Sequence, residues 1–228
     1  MIIQKQKPIE EILKSINGEQ KVFLAGCSDC AAACKVGGAE ELAEMKTRLE
    51  AAGKTVTGTA VFETACQQGA VRTKGRENEA AIAAADSIVV FACGTGCQTL
   101  SETLEKKAHP AAESLFVGQV NRLGKYTERC STCGKCVLDT FEGICPVTRC
   151  AKGLLNGPCG GYKNGKCEVD PEKDCAWVQI YKKMEERGTL AKMRAIQPAK
   201  DQSTRHTPRA YVWPKKTPAP GPSQGSKP

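Results

Sequence analysis

Histidine, aromatic side chains and long apolar runs are scarce in this chain, and each scarcity closes a class of function. The only two histidines, His109 and His206, stand far apart in 228 residues. Isolated imidazoles lack the neighbouring orienting group that acid–base catalysis needs. Aromatic residues make up 5%, too few for the interleaved basic and stacking surface that binds single-stranded nucleic acid. Trp177 and Trp213 are therefore expected to pack or dock. The longest apolar run, around "SIVVFAC", falls far short of the ~20 residues of a membrane helix, so no membrane span is expected. No G-x-x-x-x-G-K-[ST] occurs, which removes the usual phosphate-cradling loop. No C-x3-C-x2-C occurs either, which argues against a radical S-adenosylmethionine site. "CGTGCQT" places Thr99 where G-x-G-x-x-G needs its third glycine, and no clear ribose-binding acid follows. The opening "MIIQKQKPIEEILKSINGEQK" has neither the apolar core nor the cleavage site of a signal peptide. The expectation is a cytoplasmic chain whose thiols stay reduced.

Cysteine, by contrast, is abundant: fourteen residues. In a reducing compartment they read as metal ligands before disulfides. Charge is divided unevenly as well. Residues 1–124 carry 14 Lys and Arg against 15 Asp and Glu, whereas residues 125–228 carry 19 against 10. A basic half often signals nucleic acid. Here a competing explanation exists, because a four-thiolate [4Fe–4S] cluster carries about −2 and would offset such charge.

From Val22 the chain alternates strand and helix. "KVFLAG", "KTVTGTAVFE", "SIVVFAC" and "ESLFVG" read as strands. "GGAEELAEMKTRLEAAG" reads as a helix with Leu42, Met45 and Leu49 at three- and four-residue spacing, stopped at Gly53. "ENEAAIAAAD" and "CQTLSETLEKKA" read as two more. This pattern predicts α/β: a small Rossmann-like parallel-sheet domain over residues 1–124, three layers thick. Residues 125–188 lose the period and hold too few apolar side chains to offset their chain entropy. An irregular cysteine-rich domain with a metal core is expected there, ending in a short helix, "CAWVQIYKKMEERG", with Trp177, Ile180, Tyr181 and Met184 on one side. Residues 189–228 form a basic, proline-rich tail, disordered or docked along a partner through Tyr211 and Trp213, with Arg205 and Arg209 orienting it.

The cysteines fall into three groups. Cys130, Cys133 and Cys136 form C-x2-C-x2-C, and Cys145 follows with Pro146 directly after it. Three thiolates at that spacing wrap a loop around a cluster face, and a distant Cys-Pro supplies the fourth. The gap before Cys145 is eight residues, longer than in ferredoxins. A structural zinc site would instead pair two C-x2-C units about 12–20 residues apart. Cys150, Cys159, Cys167 and Cys175 are separated by eight, seven and seven residues, each gap containing a turn. That spacing suits four thiolates on one centre and leaves iron against zinc, and exchange of ligands between quartets, open. The third group stands where strands end: Cys27 after the first, Cys30 and Cys34 on the next helix, Cys66 after the second, Cys93 after the third. Carboxyl ends of parallel strands converge on a crevice, so one further centre is expected from Cys27, Cys30, Cys34, Cys66 and Cys93. Cys97 reads as a packing residue.

The run "ERCSTCGKCVLDTFEGICPVTRCAKGLLNGPCGGYKNGKCEVDPEKDCAWVQIYKKMEERG" resembles the cysteine-rich domain of the methylenetetrahydrofolate reductase C-terminal family. "GCSDCAAACKVGG" and "VVFACGTGCQ" resemble that family's N-terminal half. The resemblance implies a small iron–sulfur subunit of the methylenetetrahydrofolate reductase of acetogens and related anaerobes, acting in the methyl branch of the reductive acetyl-CoA pathway. It implies two or three [4Fe–4S] clusters, with zinc in place of one as the alternative. It also implies a separate flavin-bearing catalytic subunit as partner, with ferredoxin or other electron-transfer subunits as further partners and the electron donor left open. No folate reduction by this chain alone is expected. Two other functions remain in competition: a structural zinc scaffold of the same complex, and a basic zinc-ribbon nucleic-acid binder.

Overall fold

The computed structural model describes residues 1–205 and 207–212. Its first half is built on a four-stranded parallel sheet in the order β3-β2-β4-β5, formed by β2 (Lys21–Cys27), β3 (Thr55–Phe62), β4 (Ser87–Phe91) and β5 (Ala108–Pro110). Along β2 and β4 side chains alternate between two apolar clusters. Phe23, Ala25, Ile88 and Val90 face one side, and Val22, Leu24, Val89 and Phe91 face the other. That is the period-2 pleat of strands buried on both faces.

Helices α1 (Ile9–Ser15) and α3 (Ala39–Ala51) cover the second face, while α4 (Gln68–Glu77), α5 (Glu79–Ala83) and α6 (Gly94–Leu104) cover the first. A single hand of crossover requires this split, because β2 to β3 and β3 to β4 run in opposite directions across the sheet. In α3 the expected Leu42, Met45 and Leu49 are buried, worth about 2 kcal/mol each. The helix starts where the Gly38 N–H donates to the Glu41 carboxylate at 2.9 Å and ends before Gly53, whose φ is +82°. The expected "ENEAAIAAAD" helix is narrower: a break at Asn78 separates α4 from α5.

"ESLFVG" is not a strand of the parallel sheet. It lies in β6 (Ala112–Arg122), the centre of a second, antiparallel sheet with β1 (Ile2–Gln6) and β7 (Lys125–Cys130). The short β5 already closes the parallel edge, and Pro110 lacks an N–H with which to carry the ladder on. β6 and β7 form a hairpin through Leu123 and Gly124, so the chain passes into the cysteine-rich segment as a sheet strand. Ile3, Phe116 and Tyr126 pack this sheet against the first core.

Helix α2 (Cys30–Ala33) is a single turn, and beyond Cys130 the α-helices among the described residues are α7 (Pro146–Arg149), also one turn, and the longer α8 (Ala176–Glu186). A small core of Phe141, Cys175, Trp177, Ile180 and Met184 holds this half together. Trp177 meets Phe141 edge-on, with centroids 5.3 Å apart at 81°, and its Nε1–H donates to the Leu154 carbonyl at 3.1 Å. Tyr181, expected on the same face, is 46% exposed; it is one residue past Ile180 and so rotates about 100° off the buried stripe. Glu142 fastens the end of α8, accepting from Arg187 at 2.8 Å, Lys192 at 3.1 Å and Thr189 at 3.0 Å. Those donors, Arg187 foremost, hold its carboxyl at about 2. Tyr211 is exposed; Trp213 and His206 lie outside the described residues. No helix among the described residues is long and apolar enough to cross a membrane.

Candidate metal centres

The parallel sheet gathers the N-terminal thiols at its carboxyl edge. Cys27 is the last residue of β2, Cys66 follows β3 and Cys93 caps α6 directly after β4. The strand order places the reversal of chain direction at β2, the position where α/β sheets open a crevice. Cys93, Cys27 and Cys30 each lie near enough to Cys66 for their charge to act on it. Burial pushes the Cys66 thiol up, and the charges of Cys93, Cys27 and Cys30 push it further. The Cys34 thiol is raised by burial and by Cys30. Thiolates that repel one another in this way are relieved by a shared cation.

Two glycines bring α2 to that edge. A Cβ on Gly26 would collide with the Gly37 carbonyl, and one on Gly37 with the Phe91 carbonyl. Only bare backbone lets the 34–38 loop lie on β2 and β4, where the Cys27 N–H donates to the Gly37 carbonyl at 3.0 Å. The antiparallel sheet closes the group from outside. The Ile2 N–H donates to Cys30 Sγ at 3.4 Å, the Gln4 N–H bonds Cys34, and Tyr126 Oη donates to the Ala33 carbonyl at 3.2 Å. Cys97 lies in the hydrophobic core beside Leu100.

In the second half, Cys130, Cys133 and Cys136 share one loop, with Thr132 at φ +50° and Gly134 at +85° giving it its tight path. The Thr132 N–H donates to Cys130 Sγ at 3.3 Å. Cys145 reaches this loop through α7, because the Thr148 hydroxyl donates to the Arg129 carbonyl at 3.1 Å. Cys150, Cys159, Cys167 and Cys175 line a single small cavity together with Arg149 and Lys152. Turn hydrogen bonds assemble it: the Cys175 N–H to the Gly165 carbonyl at 2.8 Å and the Cys167 N–H to the Lys173 carbonyl at 2.9 Å. Lys152 pairs with Glu168, which also bonds Cys159. Among the described residues no three Cys, His, Asp or Glu side chains are gathered closely enough to hold a metal ion as they stand.

Cysteine thiols are the donors throughout, a soft set suited to iron–sulfur clusters or zinc. Four buried side-chain atoms among the described residues have no hydrogen-bond partner: Gln4 Oε1, Thr103 Oγ1, Arg129 Nε and Ser131 Oγ. Two of them flank Cys130, and a third sits on the residue that bonds Cys34. Buried donors left unpaired cost about 1–3 kcal/mol each. Arg129 Nε and Ser131 Oγ thus fit an anionic acceptor at Cys130. Arg149 is a second partly buried guanidinium, bonded to Gln179 and close to Cys145. Burial first, then Arg129, lowers its pKa. These two arginines were missed in the sequence, though each immediately precedes a ligand candidate, in "RC" at 129–130 and at 149–150.

No curated protein and no solved structure matches the chain. Residues 109–203 match the family model described as Methylene-tetrahydrofolate reductase C terminal. That span begins in β5 and takes in the antiparallel hairpin, both C-terminal quartets and α8, and it leaves the parallel sheet's thiol edge outside. The likeness to that family therefore lies in residues 109–203, the hairpin and cysteine-rich half of the chain.

Proposed function

We propose that the chain is an iron–sulfur electron-transfer subunit of a methylenetetrahydrofolate reductase complex. It relays electrons to or from a flavin on a separate catalytic subunit, with ferredoxin or another electron-transfer subunit as the second redox partner. The observation that carries the reading is the lining of one cavity by Cys150, Cys159, Cys167 and Cys175, with unpaired buried donors beside Cys130. The ligand pools are Cys27, Cys30, Cys34, Cys66 and Cys93 at the sheet edge, Cys130, Cys133, Cys136 and Cys145 on the loop, and Cys150, Cys159, Cys167 and Cys175 around the cavity. [4Fe–4S] clusters held there would supply one-electron transfer.

The chain's own residues do the rest. Gly26 and Gly37 let the thiol-bearing loop approach the strand ends. Arg129, Arg149 and Lys152 supply positive charge beside thiolates. The antiparallel sheet couples two of the groups: Ile2, which touches Cys30, pairs with Val117, and Val117 pairs with Cys130. Two strand spacings, roughly 10 Å, therefore separate the backbone of Cys130 from that of Ile2.

The test is anaerobic purification with iron, sulfide and zinc counted and spectra recorded before and after dithionite. About eight to twelve iron atoms, in two or three clusters, are expected. Zinc alone, with no paramagnetic signal after reduction, would replace this reading with that of a structural scaffold.

A further inference from the structure

The loop "CSTCGKC" carries three thiols, yet its internal bonds all span one or two residues: the Lys135 N–H to the Cys133 carbonyl at 3.2 Å, the Thr132 N–H to Cys130 Sγ, the Thr132 hydroxyl to the Ser131 carbonyl and the Cys133 thiol to the Lys135 carbonyl. Longer-range fastenings come from a segment some seventy residues later. The Thr204 hydroxyl bonds the Cys133 carbonyl at 3.3 Å, Arg209 Nη1 donates to the Thr132 carbonyl at 3.2 Å, and Lys200 Nζ donates to the Lys135 carbonyl. The segment is shaped for the contact. The Ser203 N–H donates to the Asp201 carboxylate at 2.8 Å, opening a 3₁₀ turn over Ser203–Arg205, and Arg209 also bonds the Thr204 carbonyl at 3.2 Å. The approach is close enough that a Cβ on Gly134 would strike Thr204.

We propose that residues 200–205 and 207–209 form a basic strap that fastens the Cys130–Cys136 loop and governs how firmly, and at what potential, its metal centre is held. The inference rests on the reading above that these thiols bind metal. The first reason is geometric. A trans peptide holds its C=O and N–H antiparallel. Pinning the Thr132 and Cys133 carbonyls on the strap side turns the N–H groups of Cys133 and Gly134 the other way. The Thr132 N–H already donates to Cys130 Sγ. Amides so turned are available to sulfur, and such bonds, with nearby positive charge, stabilise the more negative, reduced state. The second reason is electrostatic. The strap sets Lys200, Arg205 and Arg209 beside the loop's own Lys135, with Asp201 the single acid. Thr204 and Arg209 are positioning residues in this scheme: they act on the centre through the loop's backbone.

The experiment compares the full chain with a truncation after Gln197 and with Thr204→Val, Thr204→Ser and Arg209→Leu. Each is purified anaerobically, its metal counted and its release to a chelator timed (bathophenanthroline disulfonate for iron, EDTA for zinc). A Cys133→Ala variant identifies the release phase belonging to this loop. Truncation should speed that phase about tenfold, the worth of one or two hydrogen bonds, leaving the other phases unchanged. Thr204→Val and Arg209→Leu should each give part of the effect, and Thr204→Ser should restore the full-length rate. With iron bound, truncation should also move the midpoint potential of that centre to a more negative value. Unchanged release and potential, with the Cys133-dependent phase present, would overturn the strap and leave metal binding intact. Absence of any Cys133-dependent metal in the full chain would overturn the metal reading and the strap with it.

Discussion

Replacing Glu19 by Gln tests whether the amino-terminal edge of the parallel sheet is held by charge. Glu19 precedes β2 and is 13% exposed. Its carboxylate accepts from Ser87 at the start of β4, from Lys107 Nζ at 2.7 Å, and from His109 Nε2 in β5 at 2.9 Å. Burial by itself raises its pKa, but the bonds from Lys107, Ser87 and His109 outweigh it and bring the group from an ordinary 4.5 to about 2. At about 1.4 kcal/mol per tenfold change in affinity for the proton, that drop corresponds to roughly 3 kcal/mol of stability. Lys107 is well exposed and partly screened, so about 2 kcal/mol is the expected loss in Glu19→Gln at pH 7. The sign follows from the depressed folded value: the contribution is full above about pH 4.5 and disappears as pH falls through 2. Denaturant unfolding by far-UV circular dichroism, at pH 7 and stepwise down to pH 2.5, measures both. Any loss of bound metal in acid is common to the two proteins and cancels in the difference. A gap below about 0.5 kcal/mol at pH 7, or one that stays constant into acid, would refute the reasoning.

Cys66→Ala and Cys93→Ala should each remove one centre's worth of metal and leave the C-terminal signal intact, whereas Cys97→Ala, in the core, should leave metal content unchanged; metal analysis of the three decides. Gly37→Ala places a methyl on the Phe91 carbonyl, so it should displace the Cys34 loop, reduce the metal of the same centre and destabilise by about 1–3 kcal/mol, read by metal count and denaturation together. Trp177→Ala removes the edge-on partner of Phe141 and orphans the Leu154 carbonyl, at a cost of about 3–5 kcal/mol. Because Trp177 also lines the Cys150–Cys175 cavity, release of that quartet's metal should quicken while the Cys133-dependent phase stays as it was.

Much of the α/β half was written in local pattern. Continuous apolar runs mark β2 and β4, and the three- and four-residue spacing of Leu42, Met45 and Leu49 marks α3, because burial on two faces or on one stripe leaves that period in the residues themselves. Thiol spacing likewise marked the Cys130–Cys136 loop, and strand ends marked Cys27, Cys66 and Cys93. Tertiary structure alone assigned "ESLFVG" to a second sheet, since strand propensity does not say which neighbour a strand will pair with. It alone folded Ile2 and Gln4 onto Cys30 and Cys34, contacts between residues about thirty apart whose closure depends on β6. The same holds for the strap, where Thr204 and Arg209 meet a loop seventy residues earlier through backbone carbonyls, groups that every residue carries and that no side-chain pattern can announce.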